Sequence, residues 1–118
     1  MLSLSLPGRV FLCTLPTDMR KSFDALAGLV QTQLGQDPLS GDLFVFRSRR
    51  GDKLKLLYWD ADGLAIWYKR LEEGTFAAPQ PAVDAKSVQL SAEDLSLLLS
   101  GVDLASVRRR KRYERATA

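Results

Sequence analysis

Residues 42 to 71 read DLFVFRSRRGDKLKLLYWDADGLAIWYKRL. Three runs of apolar and aromatic residues are separated by two clusters of turn formers, SRRGD and DADG. Runs of this kind joined by short Gly- and Asp-bearing turns predict consecutive hairpins. The stretch is therefore read as a three-stranded antiparallel meander with strands at 43–47, 53–59 and 64–71. In the second run, Leu54, Leu56 and Tyr58 alternate with Lys53, Lys55, Leu57 and Trp59. That alternation predicts two unlike faces, with both lysines pointing away from the core.

The flanks supply the layers such a sheet needs. Val10, Phe11, Leu12 and Cys13 form a short apolar run that predicts a strand, bounded by Pro7-Gly8 and Pro16. Thr17 or Asp18 suits a helix N-cap, and Phe23, Leu26, Ala27, Val30 and Leu34 recur at helical spacing. A helix over 19–34 follows, with Gly35 as its C-terminal cap. Gly28 within it predicts close packing on the sheet, since Gly otherwise costs a helix about 1 kcal/mol. Pro38 and Gly41 make 36–42 irregular. Beyond the meander, 75–77 reads as a short edge strand, 78–85 as a Pro-rich connector and 88–90 as a last strand. Ser91 and Asp94 have the spacing of a capping box, Leu95, Leu98 and Leu99 supply an apolar stripe, and Gly101 stops the second helix. The expected fold is α+β: a small antiparallel β-meander packed by one N-terminal helix and one C-terminal helix. One compact domain over 1–103 is followed by a basic, disordered tail over 104–118.

Charge is distributed unevenly. The 118 residues carry a net +3, yet six of the 17 basic residues and only one acid fall in 104–118. The body before the tail is slightly acidic. Within it, 47–55 holds Arg47, Arg49, Arg50, Lys53 and Lys55 against the single Asp52. A basic loop and a basic tail on an acidic body point to an anionic partner met locally, nucleic acid first. No apolar run approaches the ~20 residues of a membrane span. The apolar start lacks a basic n-region and a cleavage signature, so it is not read as a signal peptide. The single Cys13 forms no internal disulfide and fits a reducing cytoplasm, nucleoid-associated if DNA is bound. Neither a membrane nor a small-molecule substrate is expected as a partner.

Much reaction chemistry lacks its parts. The chain has no histidine, which removes the commonest general base and metal ligand. One cysteine without histidine makes no zinc site, and neither a Walker loop nor GxGxxG occurs. DADG begins like a calcium loop, but its later ligand positions are wrong, and a hairpin turn accounts for it. A metal-dependent nuclease built on Asp52, Asp60 and Glu72 is a minor alternative. The reading is a binding protein with no catalytic residue, metal site or cofactor. Its candidate nucleic-acid contacts are Arg47, Arg49, Arg50, Lys53 and Lys55 on the hairpin, extended by Arg20, Lys21, Lys69 and Arg70. Arg108, Arg109, Arg110, Lys111 and Arg112 of the tail complete the set. A β-ribbon fits the major groove, and Arg pairs bidentately with guanine or phosphate. Trp59, Trp67 and Tyr68 are candidates to stack on bases, with sheet packing as the competing role.

Three blocks, TDMRKSFDAL (17–26), DPLSGDLFVFRSRRGDKLKLLYWD (37–60) and GLAIWYKRLEEGTF (63–76), carry a family resemblance. Over about 10–103 the chain resembles the Orf2-like accessory proteins, called TnpB, of the bacterial insertion-sequence family numbered sixty-six. These are unrelated to the RNA-guided nuclease of the same name. The resemblance implies an accessory role in transposition, beside a larger transposase that does the recombination chemistry and a third small protein. It implies no cofactor and carries over no catalytic residues. The expected partners are DNA at the element ends, the transposase with the other accessory protein, or both. A protein–protein adaptor that recognises acidic patches on the transposase is the alternative to direct DNA binding.

Overall fold

A computed structural model describes residues 8–79 and 84–100, and the backbone alone at 102–103 and 108–109. Strand β1 (Val10–Cys13) is followed by helix α1 (Phe23–Thr32) and strands β2 (Leu43–Arg47), β3 (Lys53–Asp60) and β4 (Gly63–Arg70). Strand β5 (Ser87–Leu90) and helix α2 (Ala92–Ser100) complete the main body. The sheet order is β4-β3-β2-β1-β5. The meander is present as expected, and β1 runs parallel to its first strand, with Val10 opposite Leu43 and Leu12 opposite Val45. Strand β5 runs antiparallel to β1.

Strand β1 is an uninterrupted apolar run because it is buried on both faces. Its residues alternate between two cores. Val10 and Leu12 join Leu43, Val45, Leu54, Leu56 and Phe76, under Leu95 and Leu98 of α2. Phe11 and Cys13 join Phe44, Phe46 and Leu57, under Leu26, Val30 and Leu34 from and just beyond α1. Phe11 and Phe44 stack with centroids 5.8 Å apart. The molecule is thus a helix–sheet–helix sandwich, and no face of the central strands is turned to water.

Helix α1 is shorter than periodicity predicts. It begins after Ser22, because 17–21 is held in a different loop: the Asp18 carboxylate accepts the backbone N–H of Arg20. Phe23, expected on the buried stripe, is 45% exposed. Gly28 has no neighbour within 4 Å of a Cβ placed there, so close packing does not explain it. Gly35, at φ 61°, ends the helix region, and Leu34 and Gln36 donate back to Leu29 and Val30. The expected edge strand at 75–77 is irregular backbone. It is fixed instead by fully buried Phe76, whose N–H donates to the Gly51 carbonyl at 2.7 Å. Ser91 caps α2, its Oγ accepting the Asp94 N–H at 3.0 Å.

Both ends of the parallel β1–β2 pair are clamped. At the start, Asp42 accepts from the Arg9 backbone N–H (2.7 Å) and guanidinium (3.2 Å), and the Leu43 N–H donates to the Arg9 carbonyl. At the far end the Thr17 N–H donates to the Arg47 carbonyl at 2.9 Å. No described helix is long and apolar enough to cross a membrane. The two short strands at Val102–Asp103 and Arg108–Arg109 pair with each other. The rest of the expected disordered tail, and the stop at Gly101, lie outside the described residues.

Candidate nucleic-acid interface

The turn between β2 and β3 sets the geometry. Ser48 accepts the Gly51 N–H on its carbonyl at 3.0 Å, closing a four-residue turn. Gly51 then takes φ 78°, the left-handed step that lets a type I turn match the twist of a hairpin. The buried Ser48 hydroxyl accepts the Lys53 N–H and donates to Asp52. Arg49 and Arg50 are left on the two outer positions of the turn, both exposed.

The Thr17–Arg47 bond brings the loop before α1 against this turn. Between them lies an open groove of about 390 Å³. It is lined by Thr17, Asp18, Met19 and Arg20 from one side and by Ser48, Arg49, Arg50, Asp52 and Lys53 from the other, with Tyr68 of β4. Four cations face two carboxylates. Arg20 forks onto Asp18, its Nη2 2.7 Å from Oδ2. That bond from the guanidinium, with the backbone bond from Arg20, holds the Asp18 carboxyl well below the usual carboxylate range. The same pairing raises Arg20. Asp18 offsets one groove cation.

The remaining candidates disperse. Lys55 is buried, contrary to the expectation that it faces solvent. Its Nζ donates to the carbonyls of Met19 and Lys21, both at 2.7 Å, and sits 4.7 Å from the Tyr68 ring centroid. The reason is the second core: the face of β3 away from Leu54 and Leu56 is covered by α1 and the loop before it. Arg47 is half-buried, and its Nε donates to the Phe76 carbonyl at 2.7 Å. Its guanidinium lies where a Cβ on Gly51 would stand. Lys69 is opposite Leu54 in register and so emerges on the α2 side of the sheet, away from the groove. Arg70 is opposite Lys53 and shares its face, but it is not among the residues that line the groove; it bonds Glu72 at 2.8 Å, which raises it. Lys21 is half-buried and contributes its carbonyl to Lys55 rather than a wall of the groove. The side chains of Arg108, Arg109, Arg110, Lys111 and Arg112 lie outside the described residues.

Two further expectations change. Strands β2 and β3 are interior strands, so the hairpin is not a free ribbon able to enter a major groove; only its turn projects. The carboxylate trio does not assemble either: Asp52 precedes β3 and Asp60 ends it, which separates them by roughly 25 Å at strand rise. Among the described residues no three His, Cys, Asp or Glu are grouped to hold a metal ion.

The family model for IS66 Orf2 like protein matches residues 8–109. The chain belongs to the IS66 Orf2-like family. Membership gives it an accessory role in transposition and covers all of the sheet, both helices and the groove. Two Sinorhizobium fredii proteins are similar to the Orf2-like chain. One, y4jC, is 40% identical over 102 residues, 86% of each chain. The other, y4hO, is 43% identical over 95 residues, covering 80% of this chain and 81% of its own. No solved structure matches.

Within the Orf2-like fold, the sequence alone did not single out Asp18 and Asp52 as groove residues. Nor did it separate Tyr68 from the tryptophans. Trp67 packs against the α2-side core, opposite Leu56, and Trp59 is half-buried at the far end of β3. Tyr68 is 50% exposed. Alternation already puts Tyr68 on the opposite face from Trp67, and its register partner is Lys55.

Proposed function

We propose that this protein is a non-enzymatic accessory factor that holds DNA at insertion-sequence ends by its phosphates. Arg49 and Arg50 on the turn, Lys53 at the start of β3 and Arg20 from the opposite wall form the contact surface. The observation that carries the reading is their convergence: residues nearly thirty positions apart in sequence line one open groove. Exposed guanidinium groups at a tight turn are suited to phosphate, which they bind bidentately. The contacts fix affinity and register but not sequence.

A gel shift with element-end DNA at several salt concentrations tests this. Each phosphate contact on a duplex contributes about 0.9 to the slope of log affinity against log salt. Replacing Arg49 and Arg50 together by Ala should weaken binding and flatten that slope by about 1 to 2. Binding with an unchanged slope would remove the turn from the interface.

One observation favours a second reading. Asp18 and Asp52 give the groove mixed charge, which suits a protein surface bearing both signs. In that case the factor is an adaptor that docks on the transposase without touching DNA. Capture of the transposase from nuclease-treated extract, by protein that shows no affinity for free DNA, selects it.

A further inference from the structure

Tyr68 is the aromatic residue of the groove, and its setting is unusual for a strand tyrosine. The Lys55 ammonium sits 4.7 Å from its ring centroid and is itself fixed by two carbonyls at 2.7 Å. Lys55 is 7% exposed, yet Tyr68 beside it is 50% exposed and lines the groove. The ring is therefore braced by a buried cation and still open to solvent. It stands among Arg20, Arg49, Arg50 and Lys53.

A duplex offers phosphates and base edges to such a surface, but its base faces are stacked on one another. An aromatic ring within a groove gains nothing from them. An unpaired strand offers a base face and its flanking phosphates together, which is the recurring plan of single-strand binding: a stacking ring beside cations. The groove is open and sets the ring directly beside the cations of the turn and of the opposite wall.

From this we infer that the groove takes unpaired DNA, one base stacking on Tyr68 while Arg49, Arg50, Lys53 and Arg20 hold the adjoining phosphates. The inference rests on the phosphate-binding reading above and adds the form of DNA that is bound. Near an element end, such a site would engage a melted or cleaved strand in preference to the intact duplex.

The test is fluorescence anisotropy with the full chain and a labelled 15-nucleotide strand, free and annealed to its complement. Tyr68→Ala, Tyr68→Phe and the Arg49→Ala/Arg50→Ala double variant are compared, with thermal melting to show that each is folded. The single strand should bind about tenfold more tightly than the duplex. Tyr68→Ala should lose about 10- to 100-fold on the single strand and less than about 2-fold on the duplex. Tyr68→Phe, which keeps the ring, should retain single-strand binding. Equal binding of both forms, or a Tyr68→Ala variant that binds the single strand as the wild type does, overturns the inference. If the double arginine variant still loses affinity in that case, the phosphate-binding reading stands alone. If neither form of DNA binds the wild-type protein, both fall.

Discussion

The Lys55 ammonium lies 4.7 Å from the centroid of the Tyr68 ring, with its protons directed to the carbonyls of Met19 and Lys21. A buried lysine this well satisfied is a structural tie between β3, β4 and the loop before α1. Lys55→Met keeps the aliphatic bulk and removes the charge-assisted bonds, each of which contributes about 1.5–3 kcal/mol. The expected loss of stability is about 2–4 kcal/mol, read from the urea midpoint. Amide exchange at 17–21 should accelerate in the same variant. Full stability in Lys55→Met would show that the loop is held by other means.

Two glycines should respond in opposite ways to alanine. Gly28 lies inside α1 with open space at its Cβ, so Gly28→Ala should stabilise by about 1 kcal/mol through helix propensity. Gly51 has φ 78°, and a Cβ there meets the Arg47 guanidinium. Gly51→Ala should destabilise by about 1–3 kcal/mol from the backbone conformation and the displaced arginine. Thermal melting of the two variants side by side decides it, and a shared sign would contradict the geometry.

Ala61 is the first loop residue of the β3–β4 hairpin and has φ 52°. A side chain in the left-handed region costs about 1–2 kcal/mol, part of which a glycine returns through the freer unfolded chain. Ala61→Gly should therefore raise stability by about 0.5 kcal/mol, an increase in Tm of a few degrees. A lower Tm would mean that the methyl group makes a contact worth more than the strain.

Asp42, just before β2, is 5% exposed. Burial pushes its carboxyl up, but bonds from the Arg9 N–H, the Ser40 hydroxyl and the Arg9 guanidinium together bring it below its ordinary value. The folded group thus binds its proton less readily than the unfolded one. Its contribution is complete above the unfolded value of about 3.9 and is lost as pH falls below it. Asp42→Asn should cost about 1 kcal/mol at pH 7, discounted for the half-exposed Arg9. The gap to wild type should narrow between pH 4 and pH 2. An equal gap at pH 7 and pH 3 would exclude the ionic contribution.

The meander was legible because its signals are local: turn residues at DADG and SRRGD, and alternation in between. The same holds for Ser91 and Asp94 at the start of α2. The place of β1 was not legible, because nothing in VFLC names its partners. Its burial on both faces does appear in hindsight as four apolar residues without alternation. Lys55 was misplaced for a related reason. A lysine alternating with leucines reads as solvent-facing only if one face of the sheet is wet, and here helices cover both. The groove was half legible. Charge marked Arg49, Arg50 and Lys53 in sequence, and Arg20 with Lys21 as basic residues that could extend the same surface. That Arg20 joins them depends on the Thr17–Arg47 backbone bond, a pairing across thirty residues with no local trace.

The order of strands also bears on how the chain acquires its shape. Strand β1 precedes both of its partners in the chain and ends up in the interior of the sheet, between β2 and β5. Its partners begin at residues 43 and 87, so its hydrogen bonds must wait for distant sequence. The hairpins of β2, β3 and β4 close over a few residues and are expected to form early. Until β5 arrives, one edge of an apolar strand has no neighbour, and chains halted before residue 87 should be prone to association through it. Strand β5 and helix α2 thus act as the closing piece of the main sheet, sealing the seam left by β1.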